Sequence, residues 1–178
     1  MTNINWQITG IFFTIITLFG ITVIIFLLYQ IFLNKFLKGK FKIKKDNAIL
    51  YSFLIALTGL LGSLFFSEIA KYDPCNLCWY QRIFMYPLVI IFFIAYKNKY
   101  SKIFRYTIPL TIIGGTIAIF QYLLQMAPSI FSNSTLCSTG SCSQFFIIEM
   151  GFITIPFMSL IAFIGITLIS FISLKKNK

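Results

Sequence analysis

The sequence predicts an all-α membrane protein with five transmembrane helices, and three observations point there. The chain of 178 residues is 58% hydrophobic with 22 Phe, only four acidic residues and no His. Such a composition leaves too little polar surface for a soluble domain of this size. Its apolar residues gather into stretches long enough to cross the roughly 30 Å hydrocarbon core of a bilayer. Its basic residues fall in short runs between those stretches, as topology determinants do. The net charge of +11 is therefore not read as a nucleic-acid footprint, and no nucleic-acid partner is expected.

The first span, about Ile4 to Leu33, carries no charge. A secretory signal peptide would carry a basic n-region and a shorter apolar core, so this segment is read as a retained membrane anchor. Lys35, Lys38, Lys40, Lys42, Lys44 and Lys45 follow as a dense basic connection, placed in the cytoplasm by the positive-inside rule, with the N-terminus outside. This loop is expected to touch anionic membrane lipid. A second span, about Ala48 to Phe66, contains Gly59, Gly62 and Ser63, small residues that let a neighbouring helix come close. It ends in the short outer loop Glu68 to Pro74.

The third span runs from about Cys78 to Tyr96, with Pro87 expected to bend it, and leads into a second basic loop of Lys97, Lys99, Lys102 and Arg105. A fourth span, about Tyr106 to Met126, holds Pro109 and the pair Gly114-Gly115, read as helix-packing positions. The long outer loop 127–150 then carries Cys137 and Cys142 in a Ser/Thr/Gly-rich setting that favours turns. A fifth span, about Ile153 to Leu174, has Pro156 in its first turn, where a missing N–H costs little, and Lys175, Lys176 and Lys178 end the chain in the cytoplasm. Only Lys71 and Arg82 depart from this one-sided distribution of basic residues.

This topology brings all four cysteines to the extracytoplasmic side, where disulfides persist. Cys75 and Cys78 form a Cys-x-x-Cys pair where a polar loop passes into an apolar helix. A thiol at a helix start is biased toward thiolate by unpaired backbone N–H groups and the positive end of the helix dipole. Arg82 lies four residues after Cys78, one turn deeper on the same face, and a cation inside an apolar span suggests a task or a specific partner. Three readings of the cysteines stand beside one another. They could be two structural bridges, although one closed by Cys75 and Cys78 spans too few residues to constrain much. They could be a four-thiolate metal site of the kind zinc accepts. Or they could be two exchangeable pairs relaying a disulfide by thiolate attack on sulfur, with a lipid-soluble oxidant arriving from the hydrocarbon.

The run Pro74-Cys75-x-Leu77-Cys78-Trp79-Tyr80-Gln81-Arg82, followed by Tyr86-Pro87, resembles the signature of the DsbB/BdbC disulfide bond formation proteins, the quinone-linked membrane thiol oxidases. The likeness extends to the second cysteine pair and to Gly151-Phe152-Ile153-Thr154-Ile155-Pro156-Phe157 before the last span, and covers about Ala48 to Leu174. The likeness implies a four-helix transmembrane bundle, beside which the charge-free N-terminal span is read as one extra N-terminal transmembrane helix. Residues 1–47 would be that helix with its basic cytoplasmic loop, and 48–178 the bundle. It implies that Cys75 and Cys78 are the quinone-proximal pair, that Cys78 and Arg82 meet the membrane quinone (menaquinone or ubiquinone), and that Cys137 and Cys142 are the loop pair. Cys137 would form the mixed disulfide with a DsbA-like thioredoxin-fold protein. Gln81 is read equally as a hydrogen-bonding group near the site and as a helix-surface amide. Trp79 and Tyr80 are read equally as belt aromatics and as quinone contacts. The N-terminal span lies outside the family architecture and is expected to pack against the bundle, and Cys137 and Cys142 are closer together than in some members. A non-enzymatic membrane protein with structural disulfides or a four-cysteine metal site stays open as the alternative.

Overall fold

A computed structural model describes residues 14–22, 25, 45–127 and 152–175. These residues form the helices α1 (residues 14–22), α2 (Lys45–Leu64), α3 (Asn76–Lys97), α4 (Phe104–Met126) and α5 (Ile155–Lys175), with short turns between α2 and α3 and between α3 and α4. α2 widens into a π-helical turn at Phe65–Ile69, and a 3₁₀ turn at Ser101–Ile103 leads into α4. No strand occurs among the described residues.

Four segments are long and apolar enough to cross a membrane, namely Asn47–Ile69, Asn76–Lys97, Phe104–Met126 and Ile155–Leu174. The shortest of them has 20 residues, which at about 1.5 Å per residue rises about 30 Å. The fifth span expected at the N-terminus is seen only as α1, which rises about 13 Å and does not by itself span the core. The rest of the expected 4–33 span lies outside the described residues, as does nearly all of the outer loop 127–150.

The two short reversals end in the same way. Past the π turn the Tyr72 N–H donates to Phe66 O at 3.0 Å while Lys71 takes φ 57°, and past α3 the Tyr100 N–H donates to Ala95 O at 3.0 Å beside Lys99 at φ 50°. A left-handed residue after the last turn lets the chain fold back and satisfy carbonyls that the helix leaves open. Both reversals are thus tight, and they make α2, α3 and α4 consecutive antiparallel neighbours. α5 closes the ring by packing on both α4 and α2.

The bundle interior shows why small residues recur. A Cβ on Gly114 would lie 2.5 Å from the Phe163 ring, so α4 reaches α5 only because position 114 has no side chain. Gly59 similarly faces Met85 across the α2–α3 contact, where a Cβ would meet Cε at 3.3 Å. Both positions fit the packing role expected of the small residues. Helices in lipid gain little from apolar burial alone, so close approach and interhelical hydrogen bonds carry their association. The Thr167 hydroxyl lies 2.9 Å from that of Thr111 across the same α4–α5 seam. Leu88, Phe92, Phe104, Phe163 and Ile166 fill the centre, while Ile83, Ile90, Ile94 and Ile113 turn their side chains outward. α3 continues through Pro87 and α4 through Pro109.

The antiparallel order places Lys45, Lys97, Lys99, Lys102, Arg105 and Lys175 at one end of the bundle. The start of α3 lies at the other end, together with the ends of α2 and α4 and the start of α5. Every residue of the candidate site that is described comes from this second end.

Candidate functional site

Cys75 is the N-cap of α3, extended at φ −69° and ψ 168°, and its carbonyl accepts the first helical bond from the Trp79 N–H at 3.1 Å. Pro74 before it holds φ near −65° and disfavours helix for the residue ahead of it, so the helix starts here and no earlier. Cys78 falls in the first turn, one turn on from Cys75. The two Sγ atoms lie 3.3 Å apart, within hydrogen-bonding distance of one another, with Cys75 buried and Cys78 partly so. Leu77, Leu124, Ile117 and Phe120 pack around them as a small apolar cluster separate from the main core. The Cys-x-x-Cys pair thus sits on open N–H groups of a helix start inside an apolar shell, where charge on sulfur is weakly screened.

Polar contacts to the sulfurs come from a helix that the sequence reading left out of the site. Gln121 of α4 sends its Nε2 to Cys75 Sγ at 3.2 Å and to Cys78 Sγ at 3.1 Å. Its Oε1 accepts from Gln81 Nε2 of α3 at 2.6 Å, and Gln81 Oε1 accepts from the Ser159 hydroxyl of α5 at 2.5 Å. Gln81 is 7% and Gln121 2% exposed, so Gln81 is not the helix-surface amide allowed for above. An uncompensated amide at such depth costs several kcal/mol, so an interior Gln in an apolar span was itself a signal. What the sequence does not carry is which residues these amides meet.

Arg82 lies one turn below Cys78 and crosses to α2, where its Nη2 donates to Ser63 O at 3.1 Å, just before the π turn. Its guanidinium also lies over the Trp79 ring, 5.1 Å from the centroid. Its Nε is buried with no hydrogen-bond partner among the described residues, and the same holds for the Tyr86 hydroxyl one further turn along α3. Both residues line a cavity of about 390 Å³ that also takes in Cys78, Gln81 and Met158. α1 contributes Ile16, Phe19 and Gly20 to its wall, and a Cβ on Gly20 would meet Ile161 of α5 at 3.3 Å. Trp79 and Tyr80 are about half exposed and do not line the cavity, which fits a place in the membrane-interface belt.

Cys75, Cys78 and Arg82 therefore lie together at one end of the bundle. Cys137 and Cys142 lie outside the described residues, so the relation of the two pairs, and with it the four-thiolate alternative, is not described.

Comparison with known proteins matches this architecture. Residues 45–173, which run from the first residue of α2 almost to the end of α5, match the family model described as "Disulfide bond formation protein DsbB". "Disulfide bond formation protein C" of Bacillus subtilis is 52% identical over 114 residues, 64% of this chain and 82% of the relative. "Probable disulfide formation protein C" of Halalkalibacterium halodurans is 41% identical over 134 residues, 75% of this chain and 98% of the relative. "Probable disulfide formation protein" of Coxiella burnetii is 38% identical over 124 residues, 68% of this chain and 84% of the relative. No solved structure matches. The matched segment begins where α2 begins and takes in the whole cysteine–arginine site, and on that ground this multi-pass membrane chain belongs to the DsbB family of disulfide bond formation proteins.

Proposed function

We propose that this protein is a membrane thiol oxidase that reoxidises an extracytoplasmic, DsbA-like thioredoxin-fold protein and delivers the electrons to a membrane quinone. The single observation that carries the reading is the meeting of Cys78 and Arg82 on one cavity at the helix-start end of the bundle. That cavity lies between helices of spanning length, within reach of a ligand dissolved in lipid. The residues present fit a quinone: Arg82 Nε and the Tyr86 hydroxyl are buried donors without acceptors among the described residues, and a quinone carbonyl is an acceptor. A quinone held there supplies the acceptor for two electrons and two protons.

The remaining steps belong to the chain and its partner. A partner thiolate attacks Cys137 in a Cys137–Cys142 disulfide, and the second partner thiol resolves the mixed bond, leaving the partner oxidised and the loop pair reduced. The loop pair then exchanges with a Cys75–Cys78 disulfide, which becomes the dithiol. Re-forming the Cys75–Cys78 bond releases two electrons and two protons toward the cavity. The Cys78 sulfur, on the cavity wall, is the leaving atom for exchange and the contact atom for the acceptor. The guanidinium of Arg82 offsets negative charge there in a low-dielectric setting. In this reading the basic end of the bundle faces the cytoplasm of a cell whose plasma membrane the protein spans, the cysteines face outward, and the N-terminal segment adds a fifth span.

A coupled assay tests the reading. Full-length protein in lipid nanodiscs, with a reduced DsbA-like protein in excess, should oxidise that partner catalytically only when menaquinone or ubiquinone is included. Partner oxidation that is stoichiometric at most, with or without quinone, would leave the cysteines as structural bridges or metal ligands.

A further inference from the structure

We infer that Gln121 is a positioning residue for the Cys75–Cys78 pair, the sulfur end of a one-way hydrogen-bond chain from Ser159 through Gln81 that favours electron-rich sulfur. This deepens the proposed thiol-oxidase reading and rests on it for its purpose. A side-chain amide has two N–H donors and one oxygen acceptor. Gln121 faces both sulfurs with the donor end, at 3.2 and 3.1 Å, while its oxygen is engaged by Gln81 and the Gln81 oxygen by Ser159. Every donor in the sequence therefore points toward sulfur.

The chain has a second self-consistent direction. Ser159 Oγ also lies 2.9 Å from Pro156 O, and its single proton serves either that carbonyl or Gln81. With the proton on Pro156 O, both amides would turn over and the Gln121 oxygen would face the sulfurs. That direction suits two neutral S–H donors, whereas the observed one suits acceptors, a disulfide or a thiol paired with a thiolate. The choice between directions is coupled to the state of the sulfur pair, and by linkage the donor-forward direction lowers the free energy of the thiolate. The three polar residues come from α3, α4 and α5, so the chain also fixes how those helices are rotated about the dithiol. A purely structural amide would satisfy its own buried groups and leave sulfur ionisation unchanged.

The test uses full-length protein in nanodiscs, reduced under anaerobic conditions with neither quinone nor partner present. The rate of iodoacetamide alkylation is followed at the Cys75 and Cys78 peptides by mass spectrometry from acidic to strongly alkaline pH. Gln121→Met keeps the bulk and removes both N–H donors, and Gln121→Leu removes them with a shorter, branched side chain. Both should slow alkylation of Cys78 about tenfold near neutral pH, the size of a lost charge-assisted hydrogen bond, and converge on the wild-type rate at alkaline pH. Ser159→Ala, which touches neither sulfur, should slow it about two- to threefold in the same way. Profiles that superimpose on wild type, or rates depressed equally at every pH, would overturn the assignment. Should the Gln121 variants fail to fold, an unchanged Ser159→Ala profile would overturn it alone. Because no quinone is present, these outcomes are independent of whether the protein uses one.

Discussion

Replacing Arg82 by methionine removes a cation from the cavity wall while keeping much of the apolar stem. Arg82 spends one N–H on Ser63 O at 3.1 Å and holds Nε buried, without a partner among the described residues, beside the cavity shared with Cys78. If that N–H meets negative charge only during electron transfer, its loss is a loss of transition-state stabilisation. A hydrogen bond to a charged group is worth about 1.5–3 kcal/mol, and each 1.36 kcal/mol is a factor of ten in rate, so reoxidation by quinone should slow about 10- to 150-fold. Thiol exchange with the partner needs sulfur and not the guanidinium, so it should change less than about threefold. The Ser63 carbonyl and the Trp79 ring also lose a partner, and Arg82→Lys, which retains charge without the planar fork, separates that effect by falling between wild type and Arg82→Met. Stopped-flow absorbance of quinone reduction in nanodiscs measures the first rate, and quenched exchange with a reduced partner in quinone-free nanodiscs the second. Equal slowing of both rates, or of neither, would refute the assigned role.

Tyr86→Phe removes a buried hydroxyl that has no partner among the described residues. It should raise the KM for quinone about fivefold, the size of one neutral hydrogen bond, without lowering resistance to unfolding in detergent titrations. Gly114→Ala puts a Cβ 2.5 Å from the Phe163 ring, and should destabilise the α4–α5 seam by about 1–3 kcal/mol in detergent unfolding, with partial rescue by Phe163→Leu. Deleting residues 1–40 removes Ile16, Phe19 and Gly20 from the cavity wall. Quinone KM should rise in the truncated protein, while single-turnover exchange between partner and cysteines should hold within about twofold of the full chain, since the cysteines lie on α3 and in the loop.

Sequence and structure agree where a property is local along the chain. Four of the expected spans lie within about three residues of the helices observed, because uncharged length and flanking Lys residues mark them directly. Cys75, Cys78 and Arg82 were legible as a group because helical spacing alone brings them to one face. Pro74 and Cys75 mark the start of α3, which begins two residues before the expected Cys78 because the N-cap takes the cysteine and leaves Asn76 as the first helical residue.

Properties that depend on how helices are rotated against one another were not legible. Gln121 stands 46 residues from Cys75 and Ser159 stands 78 from Gln81, and nothing in an almost uniformly apolar helix says which face will meet a neighbour. Tyr86 read as part of a motif, and only its buried hydroxyl, without a partner among the described residues, marks it as a cavity donor. The N-terminal segment read as a span packed against the bundle, as α1 is, but that α1 forms part of the cavity wall was not legible.

The most direct measurement is the redox state of Cys75 and Cys78 in purified, fully reduced Cys137→Ser/Cys142→Ser protein, where the loop pair cannot take up the disulfide, mixed anaerobically with one equivalent of menaquinone. Mass-shift alkylation should show the pair closing to a disulfide with one quinol formed per bond, and no closure without quinone. Cysteines that stay reduced in the presence of quinone, or that close equally fast in its absence, would contradict electron transfer from this pair to a lipid-borne acceptor.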